Sequence, residues 1–266
     1  DEMVALVESA RAEGLAITAD QYPYVAGSTL LGAILPPWAH EDGTDATLER
    51  LSDAGARSRL RAQMADPAPS DWDNFWKWSG PEGIVLADIP SGRHADRLGG
   101  SLADAAAAWG KDPFEAAFDL LLEERMGVAM VSFSQDEAVV RRFLALPWVN
   151  GCTDGLLGGR PHPRAYGTFP RILGRYVREQ RLVTLEEAVR KLTSQAADAF
   201  GFAGHGRVRP GARANLVVFD PATVADRATF EEPMQFPVGI RDVLVGGLPI
   251  VREAAVTDAR PGLLVR

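Results

Sequence analysis

The sequence predicts an α/β fold in which short parallel strands alternate with helices. Three apolar runs of strand length, at residues 15–19, 128–133 and 148–153, lie among helical patterns. The composition, 46% hydrophobic and 24% charged, is that of an ordinary globular protein. No glycine-rich phosphate loop follows a strand, which disfavours nucleotide binding. The pattern alone leaves open a (β/α)₈ barrel and a doubly wound sheet.

The first hundred residues predict a helix, one strand and a long insertion. Apolar residues recur at helical spacing from Met3 to Ala10, and Gly14 ends the pattern. Because the chain opens at Asp1 within this pattern and without methionine, we expect it to be part of a longer protein. After the strand at 15–19, residues 25–100 are less regular and predict an insertion. One amphipathic helix is expected there, through Leu48, Leu51, Leu60 and Met64.

Helices and strands alternate again after residue 100. Four helices are predicted, the first with Asp112 as its N-cap, the second from about 139 to 144, the third starting at Thr168 and the fourth running from Thr184 to Gly201. From residue 207 the pattern changes to strands at 215–220 and 240–251 with Pro/Gly turns. The expected domains are therefore an α/β part over 1–206 and a small β part over 207–266.

Charge and cysteine content restrict the possible partners. The net charge of −8 and the pI of about 5.1 make nucleic acid an unfavourable partner. No apolar run is long enough to span a bilayer, and no signal-peptide pattern is present, so a cytoplasmic location is the default expectation. The single cysteine, Cys152, excludes an internal disulfide and is expected to be a buried, inert thiol.

Asp154 is the strongest candidate for chemistry. It follows the apolar run at 148–153, and catalytic residues of barrel enzymes gather at the carboxyl ends of the strands. A carboxylate there could bind a metal ion or accept a proton from metal-bound water. The alternative is that Asp154 and Gly155 form a turn, which the dipeptide alone favours.

Two further stretches carry polar candidates. Arg164 follows two prolines that stiffen its loop, and its guanidinium could hold a carboxylate through paired hydrogen bonds or form a surface ion pair. His162 in the same loop favours a hydrogen-bonding role over metal ligation. Tyr22 and Ser28 lie past the strand at 15–19 and offer hydroxyl groups, although packing at a strand end explains the tyrosine equally well.

The sequence has no motif that would complete a metal site or a serine hydrolase. No His-x-His follows a strand, and no cluster of histidine, cysteine and glutamate could complete a zinc site. No Gly-x-Ser-x-Gly elbow occurs. One carboxylate cannot hold a catalytic metal ion, so the residues alone define an incomplete site.

Four stretches, in order along the chain, resemble the N-acyl-D-amino-acid deacylase (D-aminoacylase) family of amidohydrolases. The most specific is Thr153-Asp154-Gly155 followed by His162-Pro163-Arg164-Ala165-Tyr166-Gly167-Thr168-Phe169-Pro170-Arg171. The others are residues 20–30, 185–193 and 211–220. The resemblance covers essentially the whole chain.

The resemblance implies a metal-dependent (β/α)₈ barrel with a small β-sandwich, a zinc cofactor, and hydrolysis of the amide bond of N-acyl-D-amino acids. In this family pattern Asp154 matches the catalytic base that faces the zinc. Arg164 matches the arginine that holds the substrate α-carboxylate, and Tyr22 and Ser28 match residues that help to position it. The insertion over 25–100 resembles the segment that covers the site.

Several features depart from the family pattern. Thr153 replaces a serine, Asn215 replaces an aspartate, and the loop from Asp154 to Arg164 is one residue shorter. The other family metal ligands would lie upstream of Asp1. We therefore expect the carboxy-terminal portion of an enzyme that needs its missing N-terminal half, and an isolated chain that is inactive. The alternatives are a dihydropyrimidinase- or dipeptidase-like amidohydrolase and a non-catalytic half-barrel binding module.

Overall fold

The computed structural model describes residues 2–264 and confirms the α/β content. The α-helices are α1 Glu2–Ala12, α2 Thr44–Ser52, α3 Ala54–Ala65, α4 Phe75–Gly83, α5 Leu102–Ala108, α6 Pro113–Glu123, α7 Glu137–Ala145, α8 Arg164–Arg171, α9 Leu185–Leu192 and α10 Ser194–Ala199. The strands are β1 Ala19–Gln21, β2 Gly27–Leu30, β3 Ile84–Asp88, β4 Ala129–Ser132, β5 Val149–Gly151, β6 Leu216–Phe219, β7 Ile240–Val245, β8 Leu248–Arg252 and β9 Ala255–Val256. None of the described helices is long and apolar enough to cross a membrane.

One pair of strands is parallel, as predicted. β1 pairs with β5 in the register Ala19 to Val149. The predicted strand at 15–19 is wrong in position, because Leu15 is 57% exposed and the chain reaches the sheet only where the Ala19 amide donates to the Trp148 carbonyl. An apolar run therefore located this strand only approximately. Among the described residues, β1 and β5 pair only with each other.

The strand predicted at 128–133 is present as β4, but it is not parallel to its neighbours. It lies between β2 and β3 and is antiparallel to both. A continuous apolar run indicates that a strand is buried on both faces, and it does not specify the direction of the neighbouring strands. The prediction of an exclusively parallel sheet is therefore wrong for this part of the chain.

The irregular stretch contains more helix than predicted. The single helix expected through Leu48 and Met64 is two helices, because α2 ends at Ser52 and the Asp53 carboxylate caps α3 by accepting from the Ala56 amide at 2.7 Å. Together with α4 to α6 they pack around the three-stranded sheet. We call this packed set the inner core; it includes Leu31, Ile34, Leu51, Leu60, Met64, Leu86, Leu102, Phe118, Leu121 and Met130.

The predicted ends of the later helices agree with the structure only in part. Asp112 caps α6 by accepting from the Phe114 amide at 3.0 Å, which confirms the prediction. The third predicted helix begins at Arg164 rather than at Thr168 and places Pro170 in its interior. It continues with wider π-helical spacing from Ile172 to Glu179. The fourth is interrupted at Thr193, which separates α9 from α10.

The last part of the chain forms a four-stranded antiparallel sheet in the order β6-β7-β8-β9. An apolar cleft of about 680 Å³ lies between this sheet and helices α8 and α9. Its lining includes Phe169, Leu173, Leu192, Val217, Phe236, Ile240 and Val243. The described strands form these three separate sheets, so the closed barrel and the β-sandwich are not confirmed and stay predictions.

Candidate functional site

The structure brings the four predicted site residues together around the guanidinium of Arg164. Its Nη2 lies 2.8 Å from Oδ2 of Asp154 and donates to the Ser28 carbonyl at 3.1 Å. The centre of the guanidinium lies 4.5 Å from the centroid of the Tyr22 ring. We call these residues, Tyr22, Ser28, Asp154 and Arg164, the Arg164 cluster.

Strand pairing explains this convergence. Tyr22 directly follows β1, and Asp154 lies a few residues past β5, which is parallel to β1 with Gln21 opposite Gly151. Parallel strands bring their carboxyl ends to one edge of a sheet, so both loops start at the same place. Arg164 reaches this edge as the first residue of α8.

Asp154 stands in an unusual backbone conformation. Its φ of 44° lies in the left-handed region, which aspartate tolerates better than most residues. The next residue, Gly155, lies against α8, where an added Cβ would come within 3.1 Å of the Ala165 Cα. The Asp154 side chain nevertheless remains 61% exposed. Its carboxylate is thus fixed beside Arg164 while its outer side is open to a ligand or a proton.

Arg164 is a buried cation. Its side chain is only 1% exposed, and a buried charge of this kind requires nearby acceptors. Asp154 and the Ser28 carbonyl supply them at Nη2, whereas the buried Nε has no hydrogen-bond partner among residues 2–264. Since a guanidinium offers five N–H donors, this arginine keeps donor capacity for a further acceptor.

Tyr22 and Ser28 contribute in different ways. The Tyr22 hydroxyl accepts a hydrogen bond from Nε2 of Gln135 at 2.6 Å, and its own proton stays available to a ligand. Burial raises the pKa of Tyr22, so the phenol stays protonated. Ser28 contacts Arg164 through its carbonyl, whereas the sequence suggested its hydroxyl. Gln135 was not singled out from the sequence, although it lies just past the carboxyl end of β4.

His162 is a hydrogen-bonding residue of the loop, as the sequence favoured. It is 1% exposed; its Nε2 lies 2.9 Å from the Ala26 carbonyl and its Nδ1 accepts from the Arg164 amide at 3.0 Å. Burial and the nearby Arg164 charge lower its pKa to about 3. Both ring nitrogens of this neutral imidazole are therefore in use, which leaves none for a metal ion.

Cys152 is less buried than predicted but equally inert. It is half-buried just past β5, in the segment that leads to Asp154. Burial, together with the carboxylates of Asp20 and Asp154, raises the pKa of its thiol to about 11. Since the thiolate is the nucleophilic form, Cys152 is a poor nucleophile at neutral pH.

A metal centre cannot be built from the described side chains alone. Within residues 2–264 no group of three or more His, Cys, Asp or Glu side chains is arranged to hold a metal ion. In the Arg164 cluster only Asp154 is an effective metal ligand type, and a catalytic zinc needs about three protein ligands. The cluster therefore supplies at most one ligand.

Comparison with known sequences identifies the family. The profile of the amidohydrolase family matches residues 21–251. A D-aminoacylase of Alcaligenes xylosoxydans xylosoxydans is 37% identical over 263 residues, which cover 98% of this chain and 44% of the relative. An N-acyl-D-glutamate deacylase of the same organism is 36% identical and is covered to the same 44%. The chain thus spans less than half the length of these relatives.

Solved structures agree with the sequence relatives. The N-acyl-D-glutamate deacylase from Bordetella bronchiseptica, complexed with zinc and a phosphonate inhibitor that mimics the tetrahedral intermediate, superimposes with a TM-score of 0.73 at 35% identity. The match covers 100% of this chain and 46% of the deacylase. A D-aminoacylase structure gives a TM-score of 0.70 at 34% identity. On the combined evidence of profile, sequence and structure, this chain belongs to the amidohydrolase family and is related to the D-aminoacylases.

Proposed function

We propose that this chain forms part of a zinc-dependent N-acyl-D-amino-acid deacylase, in which Arg164 binds the α-carboxylate of the substrate. The observation that carries the proposal is the buried guanidinium of Arg164, which has one exposed carboxylate partner and donors to spare. The relatives named above act on N-acyl-D-amino acids, which carry a free carboxylate beside the scissile amide. A paired, charge-assisted contact would hold that carboxylate in a fixed orientation.

The other members of the Arg164 cluster have distinct roles in this proposal. The Ser28 carbonyl holds the guanidinium in place, and the Tyr22 hydroxyl donates to the bound carboxylate. Because Asp154 already uses Nη2 of Arg164, a substrate carboxylate takes over that contact. Asp154 is then free to accept a proton during amide hydrolysis and to return it to the leaving amine.

Zinc and the remaining architecture belong to the complete protein in this proposal. The described residues do not fit a zinc site by themselves, so most ligands would come from protein outside residues 1–266, with Asp154 as the possible contribution of this chain. Residues 1–206, with an insertion at about 25–100, would form part of the barrel. Residues 207–266 would form part of the β-sandwich. The rest of the protein is thus the partner that this chain requires.

The test compares an acid substrate with its amide in the complete protein. Arg164→Lys keeps the charge and loses the planar fork, so kcat/KM for N-acetyl-D-amino acids should fall by about 1–3 kcal/mol in transition-state stabilisation. The corresponding N-acetyl-D-amino acid amides should be affected much less. Arg175→Lys, the same change at an arginine that pairs with Glu137 away from the cluster, is the matched control.

Two outcomes would redirect the proposal. Equal losses on acid and amide would remove Arg164 from carboxylate binding and favour an amidohydrolase of the dihydropyrimidinase or dipeptidase kind. Asp154→Asn should abolish turnover with the fold intact, because an amide cannot accept the proton. Substantial residual activity in that variant would reduce Asp154 to a turn residue.

A further inference from the structure

His162 makes two hydrogen bonds that connect the loop before α8 to the segment leading into β2. Its Nδ1 accepts from the main-chain amide of Arg164 at 3.0 Å, and its Nε2 donates to the Ala26 carbonyl at 2.9 Å. These contacts define one neutral tautomer, with the proton on Nε2. The imidazole therefore links the backbone of Arg164 to a position two residues before Ser28.

The side chain of Arg164 contacts the same segment. Its Nη2 donates to the Ser28 carbonyl, while the ring of His162 reaches Ala26. Together these contacts form a two-point attachment. The bond to the His162 ring fixes the main chain of Arg164, and the bond to the Ser28 carbonyl fixes its guanidinium. A shift at either point would move the guanidinium relative to Asp154 and Tyr22.

The surroundings of His162 restrain the ring itself. Its centroid lies 5.0 Å from that of Tyr24 and 5.0 Å from that of Phe230, both in edge-to-face geometry. The ring of Tyr22, which also contacts Arg164, lies 6.1 Å from that of His162. A ring held on several sides, with both nitrogens bonded, can place a neighbouring backbone amide accurately.

We infer that His162 is a positioning residue for carboxylate binding, acting through the main chain of Arg164. This inference rests on the proposed carboxylate role of Arg164. Both hydrogen bonds of the buried side chain go to main-chain atoms. The Nδ1 acceptor fixes the start of α8, and thereby the direction in which the guanidinium presents its donors. The bond from Nε2 to Ala26 holds the ring in place.

Replacing His162 by asparagine or by glutamine tests its two hydrogen bonds one at a time. In His162→Asn the side-chain oxygen can replace Nδ1 as acceptor for the Arg164 amide, whereas in His162→Gln the longer side chain can replace Nε2 as donor to Ala26. The probes are the ketomethylene analogue of N-acetyl-D-alanine, in which a CH₂ group replaces the amide N–H so that the protein cannot hydrolyse it, and the primary amide of the same analogue. Dissociation constants of both are measured by calorimetry on the complete protein.

We expect His162→Gln and His162→Ala to weaken binding of the acid on the order of tenfold, and His162→Asn to retain it within about threefold. The amide should bind all variants alike. Phe114→Leu is the control, since it alters the ring packing against Trp76 at a position away from both hydrogen bonds of His162; it should lower thermal stability without changing the ratio of acid to amide affinity.

Several results would overturn the inference. Equal effects of the asparagine and glutamine variants, equal effects on acid and amide, or no binding of the acid to the wild-type protein would each do so. A nitrogen-15 spectrum of the wild type that shows the proton on Nδ1 would also exclude it without any variant. Loss of hydrolysis with carboxylate binding and its His162 dependence intact would instead reject only the deacylase function.

Discussion

The inner core and the four-stranded C-terminal sheet bury their apolar side chains to very different extents. In the inner core, Leu60 and Phe118 are completely buried by helices and strands of the same region. In the sheet, Val217, Leu248 and Val256 are 54%, 56% and 61% exposed, and the cleft beside it is apolar. The inner core buries its apolar side chains within its own region, whereas the C-terminal sheet leaves much of its apolar surface exposed.

This difference matters for the Arg164 cluster, because its residues come from both regions or from segments next to them. Ser28 belongs to β2, whose sheet forms part of the inner core, and Arg164 begins α8, which lines the apolar cleft further along. The Arg164 cluster is thus anchored on one side in the inner core and continues on the other into a helix that lines the apolar cleft.

The largest expected effect is on the stability of the inner core. Phe118→Ala removes a completely buried ring and should lower the free energy of unfolding by about 3–5 kcal/mol. Val256→Ala, at a 61% exposed position of the sheet, should change it by less than about 0.5 kcal/mol. Urea denaturation of the complete protein, followed by circular dichroism, measures both. Similar losses for the two variants would show that the sheet is as tightly packed as the inner core.

A pH titration of the free energy of unfolding tests whether His162, next to Arg164, is buried and neutral in the folded protein. His162 is neutral in the folded state because burial and the charges of Arg164 and Arg171 hold its pKa near 3, against an ordinary value of 6.5. The unfolded chain therefore takes up a proton that the folded chain does not. The contribution of neutral His162 to the free energy of unfolding is fully present above pH 6.5. Between pH 6.5 and about pH 3, the free energy of unfolding falls by up to about 1.4 kcal/mol for each unit by which the pH drops.

His162→Asn is the matched variant for that titration. Its stability should be lower at pH 7, but the part of the pH dependence that comes from His162 should disappear. Denaturant midpoints measured at half-unit intervals between pH 4 and 7 give the two slopes. Identical slopes for wild type and variant would mean that His162 titrates normally and is exposed to solvent.

A smaller effect is expected at the junction between α8 and the C-terminal part. The Arg171 guanidinium bonds to Asp226 at 2.9 Å and to the Pro23 carbonyl at 2.9 Å, and both charged side chains are largely buried. Asp226→Ala should cost about 1–3 kcal/mol, because it leaves the arginine without its carboxylate. Hydrogen exchange should then increase in β6 to β9 and not in the inner core. An increase spread over the whole chain would indicate a single cooperative unit.

Local signals in the sequence predicted the helices better than the sheets. Asp112 before Pro113 fixed the start of α6 because a cap and a first-turn proline act within a few residues. The direction of β4 was missed because it depends on β2 and β3, which are distant in sequence. The break between α2 and α3 was also missed, because the apolar pattern continues across Asp53, which caps α3.

The candidate site was predicted in part for the same reason. Asp154, Tyr22 and Ser28 follow predicted strands, so their meeting at one edge could be expected from the pattern. Arg164 was a candidate because of its proline-stiffened loop, and the family resemblance gave each of these residues a role. Gln135 was missed, because polar residues after a strand are common and only the fold shows that it reaches the Tyr22 hydroxyl. The two-point attachment by His162 likewise depends on distances between residues far apart in sequence.

The most direct test of the account is light scattering on residues 1–266, with zinc content and deacylase activity measured on the same sample. The uncovered sheet face and the two-stranded pair of β1 and β5 predict a poorly soluble or oligomeric chain. Because residues 2–264 contain no cluster of metal ligands, we expect no stoichiometric zinc and no deacylase activity. Co-expression with the remainder of the protein should restore solubility, zinc binding and activity. A monodisperse, cooperatively melting monomer carrying one zinc would contradict the account.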